Sequence, residues 1–177
     1  MRIVAGQLKG RRLAGPPRGA DVRPTADRVR EAIFSILGDV SGARVLDLYA
    51  GTGALAIEAL SRGAVGATLV DASPEPARRN VAGLGLEDRA EVVRADALGF
   101  LGRDSGRYDL IFCDPPYRLA DRLEGQLESL IPARLAKGGR LITESGSRRP
   151  LRLELPVLAE RTYGDTAIGI YGGLADG

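Results

Sequence analysis

A chain of 177 residues, 44% hydrophobic and 27% charged, suits one globular domain with a sizeable core. With no apolar run near the ~20 residues of a membrane span, and no apolar centre in MRIVAGQLKGRR for a signal peptide, its expected location is cytoplasmic. One cysteine, Cys113, and no histidine exclude an internal disulfide, the commonest zinc ligand and imidazole as a general base. The net charge of +2 hides an asymmetry: residues 1–30 hold eight Lys or Arg against two acids, a net +6, while the rest hold 17 against 21, a net −4.

In chain order, residues 2–5 and 11–14 read as two short strands around 6–10, a small basic hairpin whose charge suits a polyanion or simply a solvated tail. Pro16, Pro17 and Gly19 mark a loop. Arg23-Pro24-Thr25 then leads into a helix over 26–37, with Thr25 as N-cap and Asp27 in the first turn. Val29, Ile33, Ile36 and Leu37 give that helix one apolar face, and Gly38 closes it. The expected division is 1–22, a basic N-terminal hairpin extension, and 23–177, the main domain.

From 44 onward strands and helices alternate: strands 44–49, 67–70, 91–94, 108–113 and 140–143, with helices 54–62, 74–84, 97–101 and 120–131 between them. Such alternation predicts an α/β fold, a parallel sheet covered on both faces, with ligands at the C-terminal ends of the strands. Asp47, Asp71, Asp96 and Asp114 fall at or near those ends, although each singly could be a helix cap. Beyond Ser145 the extended runs 151–155, 157–163 and 167–172 predict an antiparallel pair finishing the sheet, turned at Gly164-Asp165.

The alternation is organised around Asp47-x-x-x-Gly51-x-Gly53, where a buried strand passes through a glycine turn into a helix. Glycine permits the unusual backbone angles of a tight turn and lets a ligand approach the main chain. The stretch 51–56 fits the dinucleotide pattern G-x-G-x-x-[G/A], and Asp71 stands 20 positions after Gly51, where a strand-tip carboxylate can grip ribose hydroxyls. On these residues alone a dinucleotide, S-adenosylmethionine and a plain tight turn all remain open.

Asp114-Pro115-Pro116-Tyr117, after the fourth strand, resembles motif IV of the amino-group methyltransferases, and 47–53 resembles their motif I. The resemblance implies S-adenosylmethionine as cofactor, S-adenosylhomocysteine as product and no metal. It points to Asp47, Tyr49, Gly51, Thr52, Gly53, Asp71, Asp96, Ala97 and Asp114 as the residues that hold it. The catalytic candidates are Asp114, Pro115 and Tyr117. An exocyclic base amine is a poor nucleophile because its lone pair is delocalised, and acceptors placed on its N–H groups favour a pyramidal nitrogen. Asp114 and the Pro115 carbonyl supply such acceptors, and Tyr117 a ring on which an unstacked base can lie. The plainer alternatives are a strand-ending aspartate with a rigid turn, Tyr117 as a half-buried core ring, and Asp96 as an N-cap; Phe34 and Phe100 read as core.

RIVAGQLKGRRL, followed by RPTADRVREAIFSIL at 23–37 and DLYAGTGALAIEALSRGA, is similar to the RsmD family, the 16S ribosomal RNA guanine-N2 methyltransferases, over almost the whole chain. The resemblance implies a Rossmann-like class I S-adenosylmethionine-dependent fold with a seven-stranded, mostly parallel sheet. It implies methylation of a guanine N2 amine in 16S rRNA, within the 30S subunit or an assembly intermediate, by a monomer. Substrate contacts are then expected at Arg11, Arg12, Arg23, Thr25, Arg28, Pro116 and Tyr117. One departure is Asp71, where the family often has Glu, which shortens the reach to ribose. The competing readings are methylation of another amine, in DNA, RNA or a protein glutamine, a non-catalytic ribosome-assembly protein that binds RNA, and a nicotinamide dehydrogenase.

Overall fold

Side chains that alternate between two apolar faces give the sheet its shape. In the structure, a computed structural model describing residues 1–15, 27–116 and 120–173 (backbone alone for 120–122), the described chain forms one seven-stranded sheet with helices on both sides. The elements run α1 (Asp27–Leu37), β1 (Arg44–Leu48), α2 (Ala54–Ser61), β2 (Gly66–Asp71), α3 (Glu75–Leu84), β3 (Ala90–Arg94), α4 (Ala97–Arg103) and β4 (Tyr108–Cys113). They continue with α5 (Ala120–Leu130), β5 (Leu135–Gly146), β6 (Val157–Tyr163) and β7 (Thr166–Gly172).

The strand order is β3-β2-β1-β4-β5-β7-β6, with β7 antiparallel to both neighbours. The chain leaves β1 toward β2 and β3, then crosses back to β4 and β5. The order therefore reverses between β1 and β4, the position where open α/β sheets bind ligands. Val45, Leu69, Leu110, Phe112 and Ile142 face a core built with α1, α2 and α3. Their neighbours Leu46, Val70, Ile111, Cys113 and Leu141 face a second core that includes Leu101, Leu127 and Tyr171. Each fully buried Leu or Phe contributes about 2 kcal/mol to this sandwich.

The predicted elements from 44 to 131 agree with those observed to within a residue or two. The differences lie elsewhere. Residues 2–5 and 11–14 form a turn with a single bridge pair, Arg2 with Arg12, instead of a ladder. The N–H groups of Val4 and Ala5 donate to the Glu58 carboxylate on α2, at 2.8 and 3.0 Å, so they are not available to pair across the hairpin. Glu58 is fully buried and also meets Arg62 at 2.9 Å and Arg30 at 3.7 Å, while Arg30 reaches the Arg2 carbonyl. Gly6 closes this docking: a Cβ there would lie 1.9 Å from the Ser61 carbonyl oxygen.

In α1 the buried residues are Val29, Arg30, Ile33, Phe34 and Leu37. Ile36, predicted on the apolar face, is 37% exposed because a turn of 100° per residue carries it past the stripe that Phe34 completes. The predicted N-cap Thr25, with Arg23 and the Pro16–Pro17 loop, lies outside the described residues.

β5 starts five residues before the predicted 140, with a left-handed Gly138 and a close-packed Gly139 absorbing an irregularity against Tyr108. The expected antiparallel pair is β6 and β7, and the extended run 151–155, which buries Leu151, Leu153 and Leu155, stays outside the sheet. Glu124 and Glu128, one turn apart on α5, accept from the N–H groups of Arg152 and Glu154, each at 3.1 Å, where a neighbouring strand would otherwise do so.

Candidate functional site

Parallel pairing of β1 with β4 sets Leu48 opposite Cys113. The chain therefore leaves both strands side by side, through Tyr49 on one and Asp114 on the other. The turn after β1 is tight. Tyr49 has φ 60°, the one positive φ among the described non-glycine residues, and Gly51 and Gly53 follow at 54° and 76°. The Gly53 N–H donates to the Ala50 carbonyl at 2.7 Å. A Cβ on Gly53 would come within 2.6 Å of Leu69 Cδ2, so close packing as well as backbone angle demands glycine there. A Cβ on Gly51 would meet only the Tyr49 carbonyl, at 3.9 Å, and would stand in the open space over the turn. That space suits a ligand that touches main chain.

Two acids brace the turn from below and beside. Asp47, buried in β1, accepts the Ala56 N–H at 3.1 Å and so caps the first turn of α2, whose own N-cap, Gly53, has no side chain to do this. Burial pushes the Asp47 carboxyl up to about 7; the Ala56 bond opposes this and the charge of Asp71 adds to it. Asp71, at the end of β2, accepts the Gly51 N–H with Oδ2 and the Ser73 N–H with Oδ1, each at 2.8 Å. Its predicted place beside the turn is therefore built by direct contact with the first glycine.

Asp96 caps α4 by accepting from the Gly99 N–H at 2.9 Å, and Ala97 behind it is buried. The Tyr49 phenol is pushed up by burial first and then by Cys113 and Asp96, and its oxygen is buried with no hydrogen-bond partner among the described residues. Thr52 is buried, Phe34 lies in the first core, and Phe100 is half-buried against the second.

Across the strand boundary, Asp114 is half-buried, Pro115 buried and Pro116 exposed. Tyr117 lies outside the described residues, as do Arg23 and Thr25. The Asp114 carboxyl is held well above the usual carboxylate range by burial first, then by Glu144 and Asp47. The predicted strand 140–143 stops one residue short of Glu144, whereas β5 runs on to Gly146 and carries it. Pairing of Cys113 with Thr143 brings it beside Asp114. A lone acid just past the apolar strand residues Leu141 and Ile142 is the available signal. Asp47 on β1, Asp114 just past the end of β4 and Glu144 on β5 thus belong to three neighbouring strands or their ends. Arg11, Arg12 and Arg28 are exposed, on the hairpin and the first turn of α1. Glu58 and Asn80 are two further buried polar residues outside the predicted site.

A parallel sheet finished by a reversed seventh strand, with a glycine turn at its switch point, defines the Rossmann-like class I fold of the S-adenosylmethionine methyltransferases. A family model described as "Conserved hypothetical protein 95" matches residues 1–172, and the chain belongs to that family. Over 121 residues, 67% of this chain, it is 40% identical to "Ribosomal RNA small subunit methyltransferase D" of Escherichia coli, the match spanning 61% of that relative's length. The protein of the same name in Haemophilus influenzae is 31% identical over 97% of this chain and 93% of its own length. The solved structure of Escherichia coli yhhF superposes with a TM-score of 0.83 at 34% identity, covering 99% of each chain.

Proposed function

We propose that this protein transfers a methyl group from S-adenosylmethionine to the exocyclic N2 amine of a guanine in 16S ribosomal RNA, within the small subunit or an assembly intermediate. The observation that carries the reading is the adjacency of Asp114-Pro115-Pro116 and the glycine turn, set side by side by the pairing of Leu48 with Cys113. The names of the Escherichia coli and Haemophilus influenzae relatives support the substrate class.

S-adenosylmethionine, when bound, supplies an electrophilic methyl group on a sulfonium that needs no protonation to leave. The main chain at 51–53 and the side chains of Asp71, Asp96 and Tyr49 would hold it, with Asp47 bracing the turn. Ala97 contributes the wall beneath Asp96. Asp114 and the Pro115 carbonyl accept hydrogen bonds from the amine, turning its lone pair out of conjugation. Tyr117 and Pro116 offer faces for the unstacked base. Asp114 takes up a proton after transfer, a role its raised affinity for protons suits. Segment 1–22, with Arg11 and Arg12, and Arg23, Thr25 and Arg28 around the entry to α1, would contact RNA, while 23–177 carries catalysis. The protein would work as a cytoplasmic monomer.

Mass mapping of ribosomal RNA from cells with and without the gene tests this reading. A methyl missing from one guanine of 16S rRNA is the expected result, and an unchanged methylation pattern would remove it.

A further inference from the structure

Asn80 is a buried polar side chain on α3 to which the proposed mechanism gives no part. It is 5% exposed and shares the inner face of the helix with Ala77 and Val81. Its amide makes three hydrogen bonds. Nδ2 donates to the Thr52 carbonyl at 2.9 Å and to the Ala14 carbonyl at 3.1 Å, and Oδ1 accepts from the Ala14 N–H at 2.8 Å. Thr52 stands between the two glycines of the turn, and Ala14 is where the chain leaves the basic hairpin. One turn earlier on the same helix, Ala77 lies against Gly53, 3.5 Å from where its Cβ would be.

An asparagine that merely satisfied its own surroundings would bond within its helix or the adjoining loop. This one joins two segments 28 and 66 residues away in sequence, and nothing else links them so directly among the described hydrogen bonds. Both amide protons and the acceptor are engaged on main chain, so movement of the turn is passed to Ala14 through one short side chain pinned at both ends. The hairpin is held on its other flank by Glu58 and Ser61 of α2, the helix that the glycine turn starts. A change in the turn is therefore felt on both flanks of the hairpin.

We propose that Asn80 is a positioning residue that couples the glycine turn to the N-terminal hairpin, so that cofactor at the turn and RNA on the hairpin bind cooperatively. The inference rests on the function proposed above. Ordering either end through a shared, fully engaged amide lowers the cost of ordering the other, and by linkage the effect is reciprocal.

The test measures the dissociation constant of S-adenosylhomocysteine by calorimetry on the full chain, alone and with saturating small ribosomal subunits from cells lacking the gene. For the unaltered protein, binding should tighten about fivefold or more when subunits are present. Asn80→Ala and Asn80→Asp should bring that ratio to about one, while each ligand alone still binds. A purely structural role would lower the unfolding temperature and leave the ratio intact, which overturns the proposal, as does a ratio of one in the unaltered protein.

Should both variants fail to fold, hydrogen exchange on the unaltered protein decides. Adding S-adenosylhomocysteine should slow exchange of the Ala14 amide together with those of 51–53, and protection confined to the turn overturns the proposal. An unaltered protein that binds no S-adenosylhomocysteine at all would instead bring down the functional reading, and this inference with it.

Discussion

The two strand ends that meet at the switch point are built in opposite ways. Around the turn after β1 the acids and the main chain are paired within the protein, although the Tyr49 phenol is not: Asp71 accepts from Gly51 and Ser73, Asp47 from Ala56, and Asn80 donates to Thr52. After β4 the Asp114 carboxyl receives no hydrogen bond among the described residues, yet it stands against Glu144 and Asp47 with its proton affinity raised. A turn fixed by its own hydrogen bonds is preorganised for a ligand that varies little. A half-buried acid with acceptor capacity to spare has a place for the N–H groups of something that arrives. In the proposed mechanism the difference separates a holding half of the site from a reacting half.

The largest effect that could break this contrast is on turnover. Asp114→Ala should lower single-turnover methyl transfer by about a hundredfold or more, with the calorimetric affinity for S-adenosylmethionine nearly unchanged. Normal turnover would put the reacting half elsewhere. Gly53→Ala should act on the holding half, since the new Cβ meets Leu69 Cδ2 at 2.6 Å and the backbone is left-handed. A loss of roughly 2–4 kcal/mol in urea unfolding, with weakened cofactor binding, is expected.

Asp47 belongs to both halves and gives a pH test. Its folded-state proton affinity is raised to about 7 from 3.8, so its contribution to stability is fully present below the unfolded value. That contribution is lost as pH rises through about 7. Asp47→Asn keeps an acceptor for Ala56 without that loss. Between pH 4 and 8 the variant should gain roughly 2–4 kcal/mol relative to the unaltered protein in denaturant titrations of the free protein. A pH-independent difference would mean that Asp47 ionises without cost.

A smaller shift should separate Glu144 from Asp114. Because Asp114 is the better acceptor when ionised and its proton affinity is raised, methyl transfer should climb with pH above the usual carboxylate range. Glu144→Gln, removing the neighbouring carboxylate that acts more strongly on Asp114, should move that rise to lower pH, and an unmoved profile would uncouple the pair. Smallest for the chemistry, reversal of Arg11 and Arg12 to Glu should leave single-turnover rates at saturating RNA unchanged. It should flatten the dependence of RNA affinity on salt by about one or two released counterions, read from binding isotherms.

Much of the fold was legible before the structure. The change of apolar pattern on either side of 51–53, the glycines themselves and the stiff Asp114-Pro115-Pro116 exit are local features, each set by a few consecutive residues. So were the β6–β7 turn at Gly164 and the helix stop at Gly38. The nearness of Asp71 to the turn was legible for the same reason, in its spacing from Gly51.

What consecutive residues could not reveal were the partners. That 151–155 is extended was visible, but not that Glu124 and Glu128 on α5 take the N–H groups of Arg152 and Glu154. Likewise Glu58 draws the Val4 and Ala5 amides away from a hairpin ladder, and the β4–β5 pairing brings Glu144 to Asp114. The sequence by itself determined which segments are strands, helices and turns, because backbone angles and apolar periodicity are short-range. Only the tertiary structure decided which distant carboxylate or amide each of those segments meets. Contacts such as Asn80 with Ala14, 66 positions apart, are selected by how whole elements pack.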